Sequence, residues 1–134
     1  MKKLITLNVL TTAWVGCWCT GFILTHVPIE PGGAIRIPHL DKVGHVALFF
    51  FITYLGGVRL HVRSGRGSVG AWIAWAMIYL CYGVFDEVTQ SLTGRDADLN
   101  DWLFDVLGVA LATLLLWKRL IPPWFQAPAS AAAG

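Results

Sequence analysis

Apolar residues gather in long blocks along this chain rather than alternating with polar ones. Four apolar runs stand out, about Leu4 to Thr25, Val43 to Val58, Val69 to Phe85 and Trp102 to Trp117, and polar residues continue the period of the third to Leu92. A helix needs roughly 20 residues to cross a bilayer and tolerates about 17. Inside lipid each segment must close its own backbone hydrogen bonds, so runs of this length predict helices rather than strands. The second and fourth runs reach that length only if their polar first turns, residues 38–44 and 98–101, are helical as well. The pattern therefore predicts an all-α, polytopic integral membrane protein, a bundle of four transmembrane helices.

Composition agrees with a bilayer environment. Of the 134 residues, 56% are hydrophobic and 13% charged, against about 25% charged in an ordinary globular domain. The mean hydropathy is +0.62. A formal net charge of +2 is too small to argue for nucleic acid, and no such partner is expected. Cys17 and Cys19 are two apart, about 200° around a helix, so they form no metal clip. With Cys81 they fall inside apolar runs and are read as buried thiols.

The distribution of charge carries more than its sum. Seven basic residues (Lys2, Lys3, Arg59, Arg63, Arg66, Lys118, Arg119) flank the runs at one set of ends, with no acid among them. All eight acids (Glu30, Asp41, Asp86, Glu87, Asp96, Asp98, Asp101, Asp105) lie at the other ends, with three bases. Basic residues stay in the cytoplasm, so both termini are expected there, with loops 26–42 and 93–100 outside. The first run follows Lys2 and Lys3 and is too long for a cleaved signal's apolar core, so it reads as a retained signal-anchor helix. Residues 1–120 form one expected transmembrane domain, and residues 121–134 a short, disordered cytoplasmic tail.

Three polar stripes mark the outer ends of the last three helices. Asp41 and His45 are four apart and share a helical face, as do Asp86 and Gln90. Glu87 and Gln90 are three apart, and Asp98, Asp101 and Asp105 follow spacings of three and four, with Gly108 extending that stripe. At about 1.5 Å per residue, His45 lies about 21 Å from Arg59, Glu87 about 27 Å from Val69 and Asp105 about 20 Å from Lys118. In a hydrocarbon core of about 30 Å, His45 and Asp105 sit one to two turns below the outer surface, with the others near it.

An ionisable group at that depth costs a few kcal/mol and usually faces a cavity or a partner. Capping and local pairing account for Asp41, Asp96 and Asp98, because acids suit helix N-termini. They account poorly for His45, Glu87 and Asp105, which are the candidate catalytic residues. Asp41, Asp86, Gln90, Arg95 and Asp101 are the candidate ligand-binding groups around them. A divalent metal is one possible cofactor, with His45, Glu87, Asp101 and Asp105 as its candidate ligands. The pairs Lys42–Glu87 and Arg95 with Asp98 or Asp101 are the expected neutralising contacts. Gly56, Gly57, Gly83 and Gly108 are read as points of close helix approach.

The segment Asp41-Lys42-Val43-Gly44-His45 resembles the D-K-x-x-H signature of VanZ-like membrane proteins. Asp86-Glu87-Val88-Thr89-Gln90, Gly94-Arg95 and Asp101-x-x-x-Asp105-x-x-Gly108 resemble that family's D-E-x-x-Q, G-R and D-x-x-x-[ND]-x-x-G elements. The ordered set covers about residues 38–115, with Thr89 where the family frequently has a histidine. The resemblance implies a bacterial cell-membrane protein, in a family some of whose members are associated with resistance to the glycopeptide teicoplanin. It supplies no reaction.

Three functional readings follow. The first is an outward-facing site that binds or processes a cell-envelope lipid, glycan or glycopeptide-related molecule. In the second the polar groups only lock the bundle, through pairs such as Asp41–His45, Glu87–Gln90 and Arg95–Asp101. The third, an ion pathway, ranks lowest because the inner halves of the last three helices carry no ionisable residue. Four short helices make a thin bundle, and nothing in the sequence indicates its oligomeric state.

Overall fold

The computed structural model describes residues 2–26, 39–64, 68–93 and 98–125. Four helices carry the chain: α1 (Lys2–His26), α2 (Leu40–Ser64), α3 (Val69–Gln90) and α4 (Leu99–Trp117). Short 3-10 turns follow at Ser91–Thr93 and Pro123–Phe125, and no strand occurs among the described residues. All four helices are long and apolar enough to cross a membrane, the architecture the block pattern predicts. The polar first turns of α2 and α4 are helical too, from Leu40 and Leu99 onward.

Local chemistry sets the helix ends. The Ser68 hydroxyl accepts the Ala71 N–H at 3.1 Å and starts α3. Asp98 caps α4 by accepting the Asn100 N–H at 2.8 Å. At its far end the Arg119 and Leu120 N–H groups donate back to the Leu116 and Leu115 carbonyls, each at 2.9 Å. This is a Schellman closure, and Arg119 takes the left-handed conformation (φ 53°) that glycine more often supplies.

The helices turn apolar side chains outward. Ile23, Phe51, Ile73, Met77 and Phe85 are each about half exposed on the flanks of the bundle, where lipid is their natural solvent. Cys19 and Cys81 lie on this outer surface and Cys17 is half-buried, which corrects the expectation of thiols buried in protein. Apolar sequence context marks burial from water, and in a bilayer lipid provides that as well as a core does.

Two apolar clusters fill the interior. Leu10, Val58, Val62, Trp72, Leu116 and Ile121 form one, with Phe125 packed against it. Phe49, Ile52, Tyr79 and Val109 form the other, with Trp18, Trp75 and Tyr82 around it. Between them the Trp14 indole N–H is shared by the Ile52 carbonyl at 3.1 Å and the Tyr79 hydroxyl at 3.0 Å. That bond ties α1 to α2 and α3 where no water is at hand to satisfy a polar group.

The closest helix pair is α2 with α4, and glycine makes it possible. A Cβ on Gly108 would lie 2.5 Å from the Val46 carbonyl oxygen and 2.9 Å from the Phe50 nitrogen. Backbone atoms cannot yield as a side chain can. A Cβ on Gly57 would collide with the Leu116 side chain on the same interface. Gly108→Ala is therefore expected to part α2 from α4 and cost about 1–3 kcal/mol, as overpacking does. Gly70→Ala, where a Cβ meets nothing within 4 Å, should leave stability unchanged or slightly raised. Thermal unfolding in detergent checks both, and equal melting temperatures for the two variants would refute the steric account.

Candidate functional site

The tight α2–α4 contact brings two distant residues together. His45 Nδ1 donates to Asp105 Oδ1 at 2.8 Å, His45 being 5% exposed and Asp105 wholly buried. A carboxylate only accepts, so Nδ1 carries the hydrogen, and in the neutral ring that leaves Nε2 with its lone pair. Nε2 lies 3.8 Å from Asp101 Oδ2, too far for a hydrogen bond. The other Asp101 oxygen holds the Lys42 ammonium at 2.6 Å. Lys42 also reaches Asp98 at 3.2 Å and lies 3.7 Å from Asp41.

Glu87 enters this cluster from α3. Its Oε2 accepts the Asp98 backbone N–H at 2.9 Å, joining α3 to the start of α4. Its Oε1 is buried and has no hydrogen-bond partner among the described residues, and the same holds for Asp105 Oδ2. Asp105 Oδ2 packs against Gly83, 3.1 Å from where a Cβ would stand. His45, Glu87 and Asp101 each offer one ligand atom, all within 4.8 Å of one another. Asp98 stands just before the spanning part of α4. Its carboxyl is held below the usual carboxylate range, first by the Asn100 backbone N–H and then by Lys42.

A second polar network lies between α1 and α3 and is differently built. Asp86 Oδ1 accepts from the Thr25 and Tyr82 hydroxyls, each at 3.3 Å, and Oδ2 accepts from the Gln90 amide at 2.7 Å. His26 Nδ1 lies 3.8 Å from Asp86, and His26 Nε2 is 2.9 Å from the Thr89 hydroxyl. Both Asp86 oxygens are engaged. The arrangement fastens α1 to α3.

Of the residues singled out in the sequence, the structure gathers His45, Glu87, Asp101 and Asp105 in one cluster. It places Asp86 and Gln90 in the other and Asp41 at the exposed rim. Arg95, with its expected ion pairs, lies outside the described residues, as do Glu30 and Asp96. The expected pairs rearrange. Asp105, not Asp41, takes His45, because the α2–α4 contact delivers a buried carboxylate where Asp41 stays in the exposed first turn. Lys42 binds Asp101 and Asp98 rather than Glu87, and Gln90 turns to Asp86 rather than Glu87. Sequence reasoning missed Thr25, His26 and Tyr82. The available signal was positional, since Thr25 and His26 close the first apolar run at the level of the other polar turns.

Apolar space adjoins the first cluster. A groove of about 570 Å³ between α1 and α2 is lined by Gly16, Gly21, Leu24, Leu48 and Phe51 and ends at His45. A shallower depression of about 440 Å³ between α3 and α4 touches Glu87, Asp98 and Trp102.

Fold and site together define a multi-pass α-helical membrane protein with a buried imidazole–carboxylate cluster near one end of its bundle. Residues 3–122 match the family model described as VanZ/LLP1. The chain belongs to that family. No curated protein and no solved structure gives a significant match.

The two networks are expected to respond differently to mutation. Asp86→Ala removes an acceptor shared by three side chains and should cost about 1–3 kcal/mol, with Tyr82→Phe costing less. Thermal unfolding in detergent measures both. An Asp86→Ala protein as stable as the parent would show that this network does not fasten the helices.

Proposed function

We propose that this VanZ-family membrane protein uses the His45–Glu87–Asp101–Asp105 cluster to bind or process a cell-envelope lipid or a glycopeptide-related molecule at the outer face of the bacterial cell membrane. The supporting observation is the groove between α1 and α2. Its lining runs from Ala13 to Thr25 on α1, about 18 Å along the helix, and is almost wholly apolar until it meets His45. A lipid whose chain occupies the groove sets its headgroup beside His45, with Asp101 and Lys42 next in line. Catalysis would fall to His45, Glu87 and Asp105, and orientation of the headgroup to Asp41, Asp101 and Arg95.

The charge pattern supports the orientation. The cluster lies at the acidic ends of the helices, and the basic ends belong in the cytoplasm with both termini. Residues 1–120 act as one transmembrane unit in this reading, with 121–134 on the cytoplasmic side and Ile121 and Phe125 of that stretch packed against the bundle. For Asp86 and Gln90 the structural alternative is favoured, because hydrogen bonds within the bundle engage both Asp86 oxygens, one of them through Gln90.

Two measurements bear on this reading. Gly16 and Gly44 line the groove, and a Cβ at either meets nothing within 4 Å. Gly16→Leu and Gly44→Leu should fold normally, fill the groove and weaken binding of a fluorescent long-chain lipid in nanodiscs by about tenfold, near 1.4 kcal/mol. In a bacterial host, any change in glycopeptide susceptibility conferred by the parent should also be lost with His45→Ala. Folded groove variants that bind lipid as the parent does would sink the reading. For orientation, single cysteines at Gly33 and Gly94 in a cysteine-free background should react with an impermeant thiol reagent added outside cells. Protection at both positions would reverse the topology.

A further inference from the structure

We infer that His45, Glu87 and Asp101 form a binding site for a first-row divalent cation of the Zn²⁺ or Mn²⁺ type, with Asp105 positioning the imidazole. The observation that points to a ligand is an orphaned oxygen. Glu87 is 7% exposed, and its Oε1 has no hydrogen-bond partner among the described residues. A buried carboxylate oxygen without a donor costs a few kcal/mol, and a cation is a way to satisfy it.

Three further features converge on the same point. First, the Nδ1 of His45 is committed to Asp105 Oδ1 at 2.8 Å. That is the carboxylate–histidine arrangement that fixes a metal-binding tautomer and raises the basicity of the other nitrogen. Second, the 3.8 Å between His45 Nε2 and Asp101 Oδ2 is too long for a hydrogen bond and short enough for both atoms to touch one ion at about 2.1 Å. The Glu87 ligand atom completes a set lying within 4.8 Å, which side-chain shifts of less than about one ångström would close around an ion. Third, the charge is unbalanced. Of the carboxylates Glu87, Asp98, Asp101 and Asp105, only Asp98 and Asp101 pair with an ammonium, that of Lys42, among the described residues. Lys42 Nζ takes Asp101 Oδ1 and leaves Oδ2, the oxygen near His45, to the ion.

One imidazole nitrogen with two carboxylate oxygens suits Zn²⁺ or Mn²⁺ better than Mg²⁺, which prefers oxygen and retained water. Three protein ligands leave open positions for water or for an oxygen of a bound molecule. The ion would offset two of the cluster's negative charges, which bears on any phosphate-bearing headgroup. The metal site itself does not rest on the lipid reading, and its test reads a different quantity.

The test uses the full chain, tag-free, purified in detergent and stripped with chelator, with Cys17, Cys19 and Cys81 changed to Ser so that thiols cannot bind zinc. Titration calorimetry with Zn²⁺ and with Mn²⁺ should show one saturable ion per chain for at least one of them. Glu87→Gln and Asp101→Asn, nearly isosteric and suited to preserve the fold, should each weaken it by at least tenfold. Asp105→Asn should weaken it by about 10–100-fold through the imidazole. Co²⁺ loaded into the same protein should give a ligand-field spectrum that His45→Ala alters. Circular dichroism verifies that each variant is folded. Absence of saturable binding of either ion, or binding within threefold of the parent in both Glu87→Gln and Asp101→Asn, overturns the inference.

Discussion

Gly108 lets the backbone of α4 rest against that of α2, and the polar chemistry of this protein depends on that contact. One turn before Gly108 is Asp105, and immediately before the Val46–Phe50 segment it touches is His45. Their 2.8 Å bond needs the two helix axes close together. In water such a pair could be rescued by solvent if the helices drew apart. At membrane depth it could not, since an unpaired polar group there costs several kcal/mol. Steric economy at a glycine thus becomes an electrostatic requirement one turn away.

The two polar networks show opposite solutions to the same problem. Asp86 collects donors from Thr25, Tyr82 and Gln90 until both oxygens are engaged, and so it stiffens the α1–α3 contact. The His45 cluster stops short of that state. Among the described residues it keeps two carboxylate oxygens without donors, and Lys42 pairs with Asp98 and Asp101 but not with Glu87 or Asp105. A fully satisfied buried network specifies a structure, whereas an incompletely satisfied one costs stability. Those unsatisfied oxygens are the observation behind the proposed cation site, and the apolar groove that includes His45 in its lining gives the proposed lipid one direction of approach.

Much of this was legible in one dimension. The apolar blocks marked out all four helices, since bilayer thickness and internal hydrogen bonding leave few alternatives. Spacings of three and four put Asp101, Asp105 and Gly108 on one face of α4. The ordered motifs from Asp41 to Gly108 pointed to the family that the match over residues 3–122 shows. The glycines read as points of close approach, Gly56, Gly57, Gly83 and Gly108, all serve as such. The partners across helices were not legible. Asp41–His45, Lys42–Glu87 and Glu87–Gln90 were plausible by spacing or by charge, and the folded chain chooses Asp105, Asp101 and Asp86 instead.

The difference has a physical cause. Hydrophobic block length, charge sign and helical period are properties of a segment in its solvent, so the sequence by itself determined the all-helical membrane class and the level at which the polar residues lie. Which carboxylate meets which donor depends on helix rotation and on gaps of a few ångströms, such as the one Gly108 closes. Only the tertiary structure decided that Thr25 and Tyr82 engage Asp86, that Asp41 stays at the rim, and that Glu87 joins His45 and Asp101 in one cluster.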